Sequence, residues 1–278
     1  MTNGMASACN YSVLILTLNE ERNLPRCLAS VAGCDDVVLL DSGSTDATAT
    51  IARNAGARVF VRAFDTFARQ RNHAQRNIGF RHRWVFHLDA DEQFTPELDA
   101  ACRQAAADLD HDGYYAAPRM LWQGRWIPHC TDFPAWQARF VRAPEFEFID
   151  VGHGQREAPH MRMGRLAANY LHDLSSDGEE GWLEKHRRYA RAEAAQFLAD
   201  RGRVPLRGIF SGERLQRRRA LKHLSYLLPF RPAARFAYQY LLRRGFLDGA
   251  AGLAYCRLLA RYEGFATEEL RQFRRGRA

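Results

Sequence analysis

The chain has 278 residues, 46% of them hydrophobic, with 40 Lys+Arg against 32 Asp+Glu for a formal net charge of +8. That length and composition can bury a sizeable core plus an appendage without disulfide staples. No run of about eighteen uncharged apolar residues occurs, so no spanning helix is expected, and Met1–Asn10 lacks the cationic start and apolar run of a signal peptide.

The first predicted element is a buried strand over Tyr11-Ser12-Val13-Leu14-Ile15-Leu16, which ends in the polar cluster Thr17-Leu18-Asn19-Glu20-Glu21. Leu24, Cys27, Leu28 and Val31 then recur at helical spacing, with Pro25 suited to a first turn. A second strand, Val37-Val38-Leu39-Leu40, runs into Asp41-Ser42-Gly43-Ser44-Thr45-Asp46. Asp46 can cap a helix through Thr50 to Asn54, and Gly56 can end it. Val59-Phe60-Val61 reads as a third strand, and Trp84-Val85-Phe86-His87-Leu88 as a buried strand that stops at Asp89-Ala90-Asp91-Glu92. Alternating strands and helices predict a parallel sheet whose loops gather at the carboxyl edge, where ligands bind in open α/β sheets. Three clusters far apart in sequence therefore converge on one crevice. Neither G-x-G-x-x-G nor G-x-x-x-x-G-K-[ST] is present, which argues against dinucleotide and P-loop chemistry. The carboxylates of Asp89, Asp91 and Glu92 repel one another unless a positive group sits between them, and a hard divalent cation, Mg²⁺ or Mn²⁺, is the usual solution. The competing reading is a solvated loop that caps the next helix.

The four segments Thr17–Glu21, Val38–Asp46, Arg69-Gln70-Arg71-Asn72-His73-Ala74 and Leu88–Glu92 together resemble the family 2 glycosyltransferases of GT-A fold, in particular the bacterial branch with lipopolysaccharide-core β-glucosyltransferases. Trp182-Leu183-Glu184-Lys185-His186-Arg187-Arg188-Tyr189 and Gly245-Phe246-Leu247-Asp248-Gly249 also look like segments of that branch. The resemblance implies a Rossmann-like, mixed but mainly parallel sheet flanked by helices. It implies transfer, with inversion, of a sugar from a nucleoside diphosphate sugar, UDP-linked, to a lipopolysaccharide-core or other cell-surface glycan or glycolipid acceptor. Carried over residue by residue, Thr17, Asn19, Glu20 and Ser42 line the nucleotide pocket, and Asp41 contacts the base. Arg71 and Asn72 approach the nucleotide, Asp89 faces the ribose or the metal, and Asp91 is the principal metal ligand. Apart from the resemblance, Thr17, Asn19, Asp41 and Asp46 also read as turn formers and caps, and Arg71 as a surface charge.

An inverting transferase needs a general base near the acceptor hydroxyl. Many relatives place an Asp just before the segment that here reads Trp136-Gln137-Ala138-Arg139-Phe140-Val141, but this chain has Ala135. Asp132 is the nearest substitute and Glu157 the second candidate, with Asp132 also readable as a turn residue before Pro134. Trp122, Trp126 and Trp136 suit sugar rings or a core equally. None of the ten histidines shows a zinc spacing, and His87 reads as a hydrogen-bonded structural residue. The six cysteines lack C-x-x-C pairs and read as reduced core residues of a cytoplasmic protein.

Charge divides the chain. Residues 201–278 hold 18 Lys+Arg and 5 Asp+Glu, net +13, which leaves net −5 for residues 1–200. The expected organisation is a catalytic domain over 1–200 and a basic helical appendage over 201–278, with a boundary near Arg201-Gly202-Arg203-Val204-Pro205. In the appendage Ala220, Leu221, Leu224, Leu227 and Leu228 share a helical face beside Arg217, Arg218 and Lys222. Arg235, Gln239 and Arg243 form a polar stripe next to Phe236 and Tyr240, and Arg257 and Arg261 lie one turn apart. Such helices suit an anionic membrane surface, which places the protein in the cytoplasm, peripheral at the inner face of the cytoplasmic membrane. Packing on the catalytic domain is the alternative, and nucleic acid is not expected, because no helix-turn-helix or RNP-type pattern occurs. Two other functions stay open: a non-catalytic nucleotide-sugar-binding scaffold, which Ala135 keeps in view, and a sugar-nucleotide pyrophosphorylase. The acidic, Gly-free Thr17–Glu21 loop counts against the latter.

Overall fold

The computed structural model describes residues 9–151, 154–199, 206–212, 214–226 and 230–275. Two compact units divide the chain: the first runs to Met120 and resumes over Phe133–Asp173, and the second comprises Leu121–Asp132 and Leu174–Ala278.

The first unit is a mixed α/β structure. Its parallel half is β1 (Ser12–Thr17), β2 (Val37–Asp41), β3 (Arg58–Val61) and β4 (Trp84–Asp89), in the spatial order β3-β2-β1-β4. Val13, Leu14, Ile15, Val38, Leu39, Val85, Phe86 and Leu88 are wholly buried, as near-continuous apolar runs demand in strands covered on both faces. The helices α1 (Leu24–Ser30) and α2 (Thr48–Asn54) follow the first two strands where expected, and α3 (Phe67–Asn77) follows the third. Pro25 lies in the first turn of α1, and Gly56, at φ +82°, closes the turn after α2 by donating to the Arg53 carbonyl.

Beyond β4 the sheet changes direction. A two-residue strand β5 (Glu92–Gln93) and helix α4 (Pro96–Ala105) lead to β6 (Gly113–Trp122), whose last residues pair with β7 (Arg125–Trp126). Strand β8 (Gln137–Arg142) lies antiparallel between β4 and β6, and β11 (Met163–Asp173) pairs antiparallel with β5. A separate hairpin, β9 (Phe148–Val151) and β10 (Gly154–Glu157), packs on α3. The main core joins β1, β4 and β8 to α1 and α4 through Tyr11, Trp84, Phe86, Phe94 and Phe140, whose rings stack or meet edge to face.

The second unit is helical: α5 (Gly178–Ala199), α6 (Arg214–Ser225), α7 (Arg231–Ala237) and α8 (Gly249–Arg275). Helix α8 packs on α5 and α7, and Ala190, Ala194, Phe197, Tyr226, Ala266 and Leu270 form its core. No described helix is long and apolar enough to cross a membrane. The expected stripe Arg235, Gln239, Arg243 turns inward rather than outward. Gln239 is buried and donates to the Cys130 carbonyl at 2.5 Å, and Arg243 donates to the Thr131 carbonyl at 2.6 Å. The reason is that the chain leaves α7 through a wider turn at Tyr238–Leu242, which rotates the face and leaves Leu241, Leu242, Phe246 and Leu247 exposed. The stretch 201–205, Leu227, Leu228 and Pro229, and the side chains of Arg218 and Lys222, lie outside the described residues.

Candidate active site at the carboxyl edge of the parallel strands

Strand register builds the site. Thr17 pairs with Asp41, and Leu16, the residue before Thr17, pairs with Asp89, so three polar strand ends stand in one row. Thr17 donates to Asp41 Oδ1 at 3.0 Å. The buried Asp41 carboxylate also accepts from the backbone N–H groups of Gly43 and Ser44 (3.2 and 2.8 Å) and from Ser44 Oγ (2.5 Å). This turn needs Gly43, whose φ of +98° is disfavoured for any side chain. The Ser42 N–H donates to the Thr17 carbonyl at 2.8 Å. Asn19, itself at φ 56°, accepts from Thr45 N–H at 2.8 Å, and its own N–H donates to Ser44 Oγ at 2.8 Å. The Glu20 N–H donates to Thr48 Oγ1, and its carboxylate accepts from Asn23. Thr17, Asn19, Glu20, Asp41 and Ser42 are thus one interlocked pair of loops, and their capping and turn roles are real alongside any ligand role.

The second cluster surrounds Asp89. Its Oδ1 accepts from Arg71 at 2.9 Å and its Oδ2 from Arg139 at 3.0 Å. Arg139 also reaches Glu92 Oε1 at 2.8 Å and the His87 carbonyl at 3.1 Å, and its guanidinium lies 5.0 Å from the Tyr170 ring centroid. Burial works against ionisation of Asp89, but the charges of Arg139 and Arg71 outweigh it and hold the carboxyl below the usual carboxylate range. Glu92 lies deeper: burial raises its pKa to about 8 despite Arg139. Arg71, expected near the nucleotide, is buried beneath Asp89 and pairs with it.

Asp91 lies one residue beyond this pair, with its side chain 21% exposed, and His172 Nε2 approaches Asp91 Oδ2 at 3.3 Å. The β5–β11 pairing is responsible, because it sets His172 opposite Glu92. Burial opposes protonation of His172, but Asp91, Glu92 and Asp89 together raise its pKa to about 9. The donor set can therefore be judged. Both Asp89 oxygens are already paired with guanidinium groups, whereas Asp91 and His172 form a carboxylate–imidazole pair that fits a divalent cation, Mn²⁺ more readily than Mg²⁺. Without metal, His172 should titrate with a midpoint near 9, and Asp91→Asn should lower that midpoint. The Asp91–His172 contribution to stability should be complete below about pH 6.5 and lost as pH rises through about 9, since the folded pKa is the raised one. Imidazole NMR shifts followed against pH check both; a midpoint near 6.5 in the wild type would contradict them.

The buried His87 departs from expectation. Neither ring nitrogen has a hydrogen-bond partner among the described residues; the ring packs edge to face on Phe148, at 5.2 Å, and burial with Arg71 and Arg139 nearby drives its pKa well down. Asn72 holds both the N–H and the carbonyl of Phe148, at 2.9 and 2.8 Å, so it ties α3 to β9. Glu157, on β10, accepts from the Tyr115 hydroxyl at 2.6 Å. Trp122 is buried, whereas Trp126 and Trp136 are partly exposed.

In the second unit Asp132 is exposed, with Arg243 Nη2 at 3.7 Å. That unit also holds a dyad that sequence reasoning missed. Asp248 is buried and accepts from the N–H groups of His129 and Cys130 and from His129 Nδ1, the last at 2.6 Å. His129 itself is 42% exposed. The available signal was the Gly245–Gly249 segment. Arg139 and His172 were missed because each sits in an ordinary-looking strand.

Residues 12–140 match the family model described as glycosyl transferase family 2. This segment is a family 2 glycosyl transferase domain. Among curated relatives, an uncharacterized glycosyltransferase of Rickettsia bellii is 33% identical over 106 residues, 38% of this chain and 35% of the relative. The lipopolysaccharide core biosynthesis glycosyltransferase LpsC of Rhizobium meliloti is 35% identical over 103 residues, 35% of this chain and 36% of LpsC. The chain thus spans about a third of the length of the curated relatives it matches. Among solved structures, the mannosyltransferase PcManGT of Pyrobaculum calidifontis, in complex with GDP-Man and Mn²⁺, is 18% identical with a TM-score of 0.48, covering 94% of this chain and 86% of that one. The match to the family model ends within β8, one residue past Arg139, so His172 and Glu157 lie beyond the matched residues.

Proposed function

We propose that this protein is an inverting, metal-assisted glycosyltransferase that moves a sugar from a nucleoside diphosphate sugar, UDP-linked, to a lipopolysaccharide-core or related cell-surface glycan. The observation that carries this reading is the row Thr17, Asp41, Asp89 at the carboxyl edge of a family 2 domain, with Asp91 and His172 beside it. Kinship with LpsC, itself named for lipopolysaccharide core biosynthesis, supports the acceptor class. In this reading the loops of Thr17, Asn19, Glu20, Asp41 and Ser42 seat the nucleoside. Asp91 and His172 would hold the Mn²⁺ or Mg²⁺, which supplies charge neutralisation for the departing diphosphate. Asp89 is pinned by Arg71 and Arg139 and presents its carboxylate toward the ribose side. Asn72 shapes the wall by anchoring β9.

The candidates for the base that deprotonates the acceptor are Asp132, Glu157 and the Asp248-bound His129. Asp248 fixes the tautomer of His129, so that Nε2 is the proton acceptor. Removing the true base should lower transfer by about a hundredfold to ten-thousandfold while donor binding persists. Asp132→Asn, Glu157→Gln and His129→Gln, assayed side by side for transfer and for donor affinity, identify it. Near-normal turnover in all three would place the base elsewhere, and absence of transfer by the wild type would favour the non-catalytic scaffold. Donor hydrolysis in the absence of acceptor would count against that scaffold.

The exposed apolar side chains Leu241, Leu242, Phe246 and Leu247, flanked by Arg243 and Arg244, support a peripheral position on an anionic membrane surface. In this reading the enzyme is cytoplasmic, at the inner face of the cytoplasmic membrane.

A further inference from the structure

The second unit contains a groove of about 1420 Å³, larger than a typical small-ligand pocket. One face of α8 forms its floor: Arg257, Arg261, Gly264, Glu268, Arg271 and Arg275 follow one another at three- or four-residue steps. Its walls come from α5, through Leu183 and Arg187, and from the start of α7, through Phe230, Arg231 and Phe236. Six arginines line it against two glutamates, Glu179 and Glu268. One of these charges is built in rather than solvated. Arg231 has a side chain 7% exposed and pairs with Glu263 at 2.6 Å, its guanidinium lies 3.6 Å from the Tyr226 ring centroid, and its Nη1 has no hydrogen-bond partner among the described residues. Glu263 already balances the charge of Arg231, but the buried Nη1 keeps a donor that a phosphate oxygen can take. Beside it, Phe230 is 82% exposed, an apolar ring left in solvent at the groove's rim.

We infer that this groove seats a single anionic phospholipid. Its phosphate lies on the arginine stripe, and its hydrocarbon lies along Phe230, Phe236 and Leu183. The case rests on charge and apolar complementarity together. A free phosphate would leave the aromatic wall wet, and an acyl chain without a phosphate would make no use of the arginines beyond Arg231 and Arg261, which Glu263 and Glu179 already pair. This deepens the proposed membrane position, since it replaces diffuse attraction to a charged surface by recognition of one lipid molecule.

The test uses the full-length protein and a short-chain phosphatidylglycerol kept below its micelle concentration, with the matching phosphatidylcholine and inorganic phosphate as comparisons. Saturable binding of the phosphatidylglycerol is expected, at least tenfold tighter than phosphatidylcholine and not displaced by equimolar phosphate. An added Cβ at Gly264 meets only Pro232 Cγ, at 3.9 Å, so Gly264→Leu can fill the groove and should weaken binding tenfold or more at an unchanged melting temperature. Arg257→Gln with Arg271→Gln provides a second variant, expected to lose lipid affinity in the same way. Equal lipid binding by wild type and both variants would overturn the inference. So would displacement by phosphate, which would make the groove a free-phosphate site. Adsorption to phosphatidylglycerol vesicles without binding of the monomeric lipid would retain the membrane position and refute the groove.

Discussion

Asp91→Asn should abolish Mn²⁺-dependent donor binding and lower sugar transfer by more than a hundredfold, with the fold intact. The size follows from the charge the site must neutralise. A diphosphate leaving group develops negative charge that a bound cation stabilises directly, and losing even one fixed transition-state contact commonly costs a hundredfold or more. The intact fold follows from geometry. Asp91 is partly exposed at the sheet edge and pairs with His172. Asparagine keeps the size and polarity of the side chain there. Titration of a UDP-sugar into wild type and variant, with Mn²⁺ and then with chelator, checks both halves. Equal donor affinity for the two proteins at saturating Mn²⁺ would remove Asp91 from the metal site. His172→Ala should weaken metal affinity in the same assay, by about tenfold to a hundredfold if it ligates or orients the ligand.

Arg139→Leu should destabilise the protein by about 3–5 kcal/mol, a large share of a typical domain's stability. Arg139 is 3% exposed and joins Asp89, Glu92 and the His87 carbonyl. Its loss leaves two carboxylates close together, one of them wholly buried, with Arg71 pairing with Asp89. Glu92, whose pKa burial already raises to about 8, would then take up a proton. Losing Arg139 raises that pKa further, so the variant's deficit should be smaller at pH 7, where Glu92 is mostly protonated in both proteins, than at pH 9, where wild-type Glu92 is ionised beside its guanidinium. Urea denaturation at pH 7 and pH 9 measures this. A variant as stable as wild type at pH 9 would show that the cluster contributes nothing to the fold.

The parallel half of the sheet was legible in the sequence for a simple reason. Strands buried on both faces must be apolar throughout, so Val13–Leu16, Val37–Leu40 and Trp84–Leu88 announce themselves, and the polar cluster after each marks the same edge. Pro25 and Gly56 punctuate the helices between them through backbone constraints that act locally. The antiparallel half was not legible. Nothing local says that β8 returns beside β4, or that β11 meets the two residues of β5.

The sequence by itself determined the α/β alternation, the carboxyl-edge crevice and the acidic pair Asp89 and Asp91, because these rest on periodicity and on turn chemistry within a few residues. Only the tertiary structure decided that Asp89 is bound between two guanidinium groups, that Asp91 faces His172, and that Gln239 and Arg243 turn inward to backbone carbonyls. Each of these joins residues 18 to 112 positions apart. Such contacts are selected by the pairing of buried charges and donors across strands and helices, which no local pattern encodes.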